Sequence, residues 1–200
     1  ITGCSKWFNA VIIESYDTLL LDTLDHLSFI SAMDYKIPRK KSIPGCSFFS
    51  NTISTLEDEQ DNKLDYGLSF PQISLLNGNS LHELGYLGNN MRIAVIDGGF
   101  FMADTISAFK KLWNEDRVLA YRDFSNSGTG FFNSATHGML VLSAMAADVP
   151  GYFAGTAPKA SYYLLKSEIV ESETPLEEAL WVVAAEFADS AGADIINSSL

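Results

Sequence analysis

The sequence predicts an α/β protein built on a mostly parallel sheet with helices on both faces. From residue 66 onward, short segments with strand character alternate with longer helical segments, the order that produces parallel strands joined by crossover helices. The segment 91–96 is apolar except for Arg92, as expected for a strand that is buried on both faces. Residues 174–177, Thr-Pro-Leu-Glu, form a capping-box pattern that predicts the start of a long helix.

Residues 1–42 are expected to form a small α+β segment of their own. Apolar residues between positions 8 and 13 predict one strand, and the segment 29–35 predicts another. Between them, Asp17 can cap a helix whose leucines recur at helical spacing over positions 20–27. A strand-helix-strand unit of this size buries too little surface to be very stable alone.

Residues 43–65 have the composition of an exposed, cleavable linker. They contain Pro44, Gly45 and a polar run over 57–63, which favour irregular chain over packed structure. The sequence therefore predicts a small first domain over 1–42, this linker, and a larger domain over 66–200.

The larger domain continues as an alternation of strands and helices after the strand at 91–96. A short strand is predicted over 118–121, a helix over 137–147 and another strand over 160–166. The helix that begins at the capping box is expected to stop near Gly192, since glycine is common just past helix ends. A last strand is predicted over 193–198.

Charge and cysteine content exclude several classes of function. The net charge of −12 argues against a nucleic-acid partner, because phosphate backbones are bound by clustered Lys and Arg. No apolar run approaches the roughly 18 residues needed to span a bilayer. The two cysteines, Cys4 and Cys46, form no Cys-x-x-Cys pair and have no histidine cluster nearby, so a structural zinc site is not expected.

Two residues stand where catalytic side chains are often found. Asp97 follows the apolar strand and precedes two glycines, which places it at the carboxyl end of the sheet, where sites of doubly wound folds form. Alone, this pattern also fits phosphotransfer folds, nucleotide-binding folds and plain turns. His137, followed by Gly138, begins a predicted apolar helix, although a lone histidine there is more often a capping or core residue.

Taken in chain order, several short segments of this sequence resemble those of the subtilisin-like serine proteases, or subtilases, most closely those of the Bacteroidetes type. The family has an aspartate after an apolar strand and a His-Gly pair that opens a buried helix, as at Asp97 and His137 here. A Gly-x-Ala-Pro-x-Ala block follows at 155–160, and a strand ending in Asn-x-Ser-Leu follows at 194–200. The segment 81–88 resembles the family's chain just before the aspartate strand.

The resemblance implies a subtilisin-like, doubly wound fold and a serine endopeptidase that needs no cofactor. Asp97 would orient the imidazole and His137 would act as general base, while the nucleophilic serine is expected beyond Leu200. Ser198, Ser199 and Leu200 match the strand edge that pairs with extended polypeptide substrates. The loop 148–153 lacks the asparagines of the family's tight calcium site, so the sequence does not support structural calcium, though it leaves calcium elsewhere open.

The first domain adds to this resemblance. Residues 5–11 are similar to a strand motif of the subtilase propeptide, which implies that residues 1–42 chaperone folding and inhibit the enzyme intramolecularly until cut off. The resemblance thus implies a zymogen that is secreted, periplasmic or held at the cell surface. The acidic stretch 168–178 lies where the family binds substrate, so it either favours basic peptides or is simply a solvated helix start.

Two other readings remain open. The protein could be a pseudoprotease or binding protein that keeps the fold without catalysis, and the presence of a downstream serine distinguishes these alternatives. In a second reading, Asp97 is a phosphoacceptor in a receiver-like fold, which leaves the His-Gly pair and the Gly-x-Ala-Pro block unexplained. Met139 and Leu140 depart from the family pattern on the helix, where they bear on packing rather than on the base.

Overall fold

The computed structural model describes residues 1–35, 64–126, 128, 130–170 and 174–199. Most of the predicted linker over 43–65 lies outside these ranges, as do Cys46 and Leu200. Cys4 is exposed. No helix in the described part of the chain combines the length and the apolar character needed to cross a lipid bilayer.

The amino-terminal part holds a small hairpin followed by a short helix. Strand β1 (Gly3–Ser5) pairs antiparallel with β2 (Ala10–Ile12), and α1 (Thr18–Asp25) follows. Asp17 caps α1 as predicted, because its carboxylate accepts hydrogen bonds from the amides of Leu19 and Leu20.

The larger part is an α/β unit around a four-stranded, fully parallel sheet, as the sequence predicts. Its elements in chain order are α2 (Phe70–Leu75), α3 (Gly78–Glu83), β3 (Arg92–Asp97), α4 (Lys110–Asn114), β4 (Val118–Asp123), α5 (His137–Ala146), β5 (Asp148–Val149), β6 (Phe153–Ala154), β7 (Ser161–Lys166), α6 (Pro175–Ser190) and β8 (Ile195–Ser198). The sheet order is β4-β7-β3-β8, so β3 is bonded on both sides. The strands β5 and β6 form a separate two-stranded hairpin.

Helices cover both faces of this sheet because successive strand residues point to opposite sides. Ile93 and Val95 face α4 and α5. Ala94 and Ile96 face α6, whose inner surface is made of alanines. The small side chains of α6 let the helix pack closely on the strands.

Two helix ends follow the predicted signals. The amide of Thr174 donates to the Glu177 carboxylate, which is the reciprocal half of the capping box. Gly192, two residues past the end of α6, has a φ of 79°, the left-handed conformation in which glycine terminates helices.

The sequence prediction was wrong at 29–35, where the structure has no strand. Residues that favour strands do not form one by themselves, because a strand is stabilised by pairing with another strand. Among the described residues, no strand pairs with this segment. The six-residue helices α2 and α3 were not predicted, since they are too short to show a helical period.

Candidate active site

Asp97 is the last residue of β3 and is completely buried. It continues the alternation of Ile93 and Val95, so its side chain lies on the face of the sheet that packs against α5. Its Oδ1 accepts a hydrogen bond of 2.7 Å from the amide of Gly98. The chain turn that follows β3 thus holds one carboxylate oxygen in place.

His137 is the first residue of α5, and its ring meets the carboxylate of Asp97. The Nδ1 atom lies 3.0 Å from Asp97 Oδ2 and 3.1 Å from Oδ1. Because a carboxylate only accepts, Nδ1 of the neutral ring must carry the proton, which leaves a lone pair on Nε2. The His137 side chain is 63% exposed, and no described side chain is hydrogen-bonded to Nε2.

Two glycines permit this close approach of helix and strand. A Cβ atom on Gly138 would lie 2.8 Å from Asp97 Cβ, and one on Gly99 would lie 2.4 Å from the backbone nitrogen of Ala135. Both separations are far shorter than atoms tolerate, so position 138 and position 99 require glycine for steric reasons. The glycine of the His-Gly pair therefore allows α5 to pack closely against the end of β3, and the histidine supplies the ring that contacts Asp97.

The loops that follow Asp97 and precede His137 run side by side. The amide of Phe101 donates to Ala135 O at 3.0 Å, and the amide of Met102 donates to Phe132 O at 2.9 Å. The amide of Phe100 donates to the Ser134 hydroxyl at 3.3 Å. These bonds fix the start of α5 relative to the end of β3 independently of the contact between Asp97 and His137.

Burial sets the electrostatics of Asp97. Desolvation raises the pKa of its carboxyl above the usual value, and this exceeds the lowering by hydrogen bonds and charge from His137 and by the amides of Gly98 and Gly99. A carboxylate held in such a dry environment interacts more strongly with an imidazolium than one in water would. The contacts with His137 and with the two amides thus favour the ionised form of a carboxyl that burial disfavours.

Next to Asp97 in the sheet, a partly buried ion pair occupies the same carboxyl edge. Lys166, at the end of β7, is almost completely buried, and its Nζ lies 3.4 Å from Asp123 Oδ2 at the end of β4. The hydroxyl and amide of Ser125 also donate to Asp123. The lysine that ends the apolar strand β7 is the sequence signal for this pair, which sequence reasoning missed.

The predicted substrate edge lies at the end of β8. The Ser198 hydroxyl accepts a hydrogen bond from Trp181 Nε1 at 2.8 Å, and the Ser199 hydroxyl accepts one from Asn197 Nδ2 at 3.0 Å. The amide of Ser199, just past the end of β8, donates to Ile96 O at 3.3 Å. Leu200, also predicted for this edge, lies outside the described residues.

A contact that sequence reasoning missed joins the amino-terminal hairpin to α6. The carboxylate of Glu186 accepts hydrogen bonds from the Ser5 hydroxyl, from the amide of Lys6 at 2.8 Å and from the amide of Trp7 at 3.0 Å. Gly3 of the same hairpin lies against Val183, one turn away on α6. No local pattern could reveal this contact, because its partners lie 181 residues apart.

The acidic stretch 168–178 is only partly described. Glu177 uses its carboxylate within the loop, accepting from the amides of Ile169 and Thr174. The carboxylate of Glu168 lies over Gly98, where a Cβ would be 2.5 Å from its Oε2. Among the described residues, no group of three or more His, Cys, Asp or Glu side chains could hold a metal ion.

No known protein-family model matches this chain, and no curated protein matches it. What the site can do follows from its geometry. An imidazole that is oriented at Nδ1 by a buried carboxylate and accessible on its other side can accept a proton at Nε2 and later return it.

Proposed function

We propose that the protein is a serine endopeptidase of the subtilisin type, made as a zymogen. Asp97 orients His137, His137 is the general base, and the nucleophilic serine is supplied by chain beyond Leu200. The observation that carries the proposal is the contact of His137 Nδ1 with the completely buried Asp97 carboxylate at 3.0 Å, with the rest of the imidazole exposed.

The proposed chemistry consists of two acyl transfers, first from the peptide to the serine and then from the serine to water. His137 accepts and returns a proton in each of them. As the serine oxygen attacks the peptide carbonyl carbon, its proton moves to His137 Nε2, and the Asp97 carboxylate stabilises the imidazolium. The imidazolium then gives that proton to the leaving amine, which breaks the peptide bond and leaves an acyl-enzyme. Water, deprotonated by the same nitrogen, hydrolyses the ester and restores the serine.

A slot in the sheet suits an extended polypeptide substrate. Strand β3 ends at Asp97 and turns away at Gly98, whereas the neighbouring chains continue, at Ser167 on one side and Ser199 on the other. The last bonds to β3 are Ser167 N to Asp97 O and Ser199 N to Ile96 O. Beyond them, backbone groups of the flanking chains can pair with a substrate strand in the place that β3 leaves.

The proposed inhibitor is the amino-terminal unit, held on α6 by Glu186. Three donors on one half-buried carboxylate make a polar, separable contact rather than a continuous core. Such contacts resemble those of transient interfaces, which open more readily than hydrophobic ones. This suits a segment that must first be bound and later released.

A non-catalytic protein with the same fold is the second candidate. It would keep the contact of His137 Nδ1 with Asp97 and differ only in having no serine that reaches His137 Nε2. A phosphoacceptor role for Asp97 fits less well, because its carboxylate is completely buried and already bonded to His137 and Gly98.

A fluorophosphonate probe, which labels activated serines, tests the proposal on the full-length protein. We expect labelling of one serine beyond Leu200 that His137→Ala abolishes and His26→Ala, at the end of α1, does not. Circular dichroism of the three proteins verifies that they are folded. If the folded protein is not labelled even after removal of the chain before Tyr66, the non-catalytic candidate replaces the peptidase.

A further inference from the structure

A cleft of about 530 Å³ opens between the two loops that lead from Asp97 and into His137. Its walls combine three aromatic rings and a methionine with a carboxylate, a hydroxyl and an amide. They are formed by Phe101, Met102, Asp104, Thr105, Gly130, Phe131, Phe132 and Asn133. This volume falls within the range of sites that bind small ligands or side chains. The catalytic mechanism proposed above does not use the cleft.

The walls of the cleft are fixed before any ligand arrives. The ring of Phe131 stacks on Phe100 with centroids 5.4 Å apart, and Phe132 packs edge-on against Trp113. The indole of Trp113 in turn donates to Ala103 O at 2.7 Å. A pocket with such preorganised walls loses little entropy when it binds a side chain.

One residue of the cleft wall, Met102, has a backbone conformation that is energetically unfavourable for a residue with a large side chain. Met102 has a φ of 54°, the left-handed region that favours glycine, and the residue is 44% exposed. Its amide donates to Phe132 O, and its carbonyl accepts from the amides of Thr105 and Ile106, so both loops maintain this conformation. Backbone strain of this kind concentrates at ligand-binding positions, and here it presents a large apolar side chain to solvent at the cleft.

The charge of the cleft indicates the ligand. No Lys, Arg or His lines it, and the Asp104 carboxylate has no hydrogen bond or ion pair among the described residues. An apolar ligand group with an adjacent cation would complement both features. We propose that the cleft is an accessory subsite that binds an apolar side chain, preferably aromatic, next to a basic residue of a polypeptide.

This subsite deepens the proposed function, since a polypeptide that fills it would lie beside His137. The amide of Phe101 bonds Ala135, two residues before that histidine. The amino-terminal unit contacts α6, on the opposite face of the sheet from α4 and α5. The described residues of that unit therefore leave the cleft uncovered.

Peptide binding to full-length protein carrying His137→Ala tests the inference without turnover. The probes are fluorescein-labelled peptides of one length on an Ala-Ser-Gly background, with a central Phe-Arg, Ala-Arg or Phe-Gln pair, read by fluorescence anisotropy. We expect Phe-Arg to bind about tenfold tighter than Ala-Arg and roughly two- to fivefold tighter than Phe-Gln.

Substitutions in the cleft test which residue causes the preference for phenylalanine and which causes the preference for arginine. Phe101→Ala should abolish the preference for phenylalanine, and so should Met102→Gly, which removes a side chain while relieving the backbone strain. Asp104→Asn should abolish the preference for arginine, and the control Asp116→Asn, on the exposed turn before β4, should change neither.

Equal binding of the three peptides, or preferences that survive in all three cleft variants, would overturn the inference. If the preferences follow the cleft variants but the fluorophosphonate probe labels no serine, the cleft binds polypeptide and the peptidase proposal fails alone. If the serine is labelled and the preferences are absent, the peptidase stands and the cleft is not a subsite.

Discussion

Gly138 lies directly against Asp97, so that a Cβ atom at position 138 would stand 2.8 Å from Asp97 Cβ and 2.9 Å from its Cγ. The first turn of α5 thus rests on the carboxylate that orients His137. The distance between His137 and Asp97 is set by the absence of a side chain at position 138, as much as by the hydrogen bond between them.

Gly138→Ala should therefore separate His137 from Asp97. The added methyl cannot be absorbed by a flexible neighbour, because it meets the Asp97 side chain at its base and the backbone of Gly99. We expect a loss of about 1–3 kcal/mol in the free energy of unfolding and a fall in kcat/KM of roughly a hundredfold. Urea denaturation and peptide hydrolysis by the full-length protein measure the two effects.

Gly130→Ala is the matched control for this substitution. Its φ of −57° suits alanine, and the nearest atom to the added methyl is the movable Asn133 Nδ2 at 3.2 Å. It should change stability little and, although Gly130 lines the cleft, leave turnover of a peptide that does not fill the cleft unchanged. If Gly138→Ala is equally harmless, the contact between helix and strand is not what positions the base.

Asp97→Asn should abolish most activity without unfolding the protein. The amide would donate to His137 Nδ1, which moves the ring proton to Nε2 and removes the lone pair that accepts from serine. We expect kcat to fall roughly ten-thousand-fold, as measured by hydrolysis after the amino-terminal unit is removed. Turnover close to that of the unaltered protein would show that Asp97 does not set the tautomer.

The same variant should change how stability depends on pH. Burial raises the pKa of Asp97, so the folded state holds this proton more tightly than the unfolded state does. The contribution of Asp97 to the free energy of unfolding therefore falls as pH rises from about 3.9 through the higher folded-state pKa. Asp97→Asn lacks this decrease, so its stability relative to the unaltered protein should rise over that window in urea titrations at stepped pH.

The parallel sheet and the Asp97–His137 pair could be predicted because both depend on local patterns. An apolar strand ending in Asp-Gly-Gly places a carboxylate at the sheet edge, and His-Gly before an apolar helix places a ring at a helix start. The topology then brings these two ends together, since α5 packs on the face to which Asp97 points.

The remainder depends on contacts between distant residues, which a single sequence does not encode locally. The Glu186 contact joins residues 5–7 to a helix near the other end of the chain. The cleft depends on Met102 adopting a φ that methionine rarely takes. The strand predicted at 29–35 was wrong for the related reason that a strand forms only against a partner.

Ser198→Ala should cost stability without affecting hydrolysis. The Ser198 hydroxyl is occupied by Trp181 Nε1, so its removal loses one hydrogen bond, about 0.5–1.5 kcal/mol. Substrate would pair with the backbone beyond β3, and Ser199→Ala should likewise leave KM unchanged. Trp181→Phe, which removes the same bond from its other end, is the control for stability. A large rise in KM for either serine variant would mean that the hydroxyl itself binds substrate.

Glu186→Gln should loosen the amino-terminal unit while leaving the α/β unit intact. Desolvation raises the pKa of Glu186, but the hydrogen bonds from Ser5, Lys6 and Trp7 outweigh it and hold the pKa below its usual value. A carboxyl with a lowered folded-state pKa stabilises the docked state above about pH 4.3, and this contribution is lost as pH falls through the folded-state pKa.

Hydrogen exchange measures the docking directly. We expect residues 3–12 of Glu186→Gln to exchange faster at neutral pH than those of the unaltered protein. In the unaltered protein, exchange over these residues should become faster only when the pH falls below the usual pKa of glutamate. Asp189→Asn, on the exposed end of the same helix, should exchange like the unaltered protein at every pH. If the unit inhibits the peptidase, the Glu186 variant should also be processed sooner. Unchanged exchange in that variant would place the docking energy in the apolar contact of Gly3 with Val183 instead.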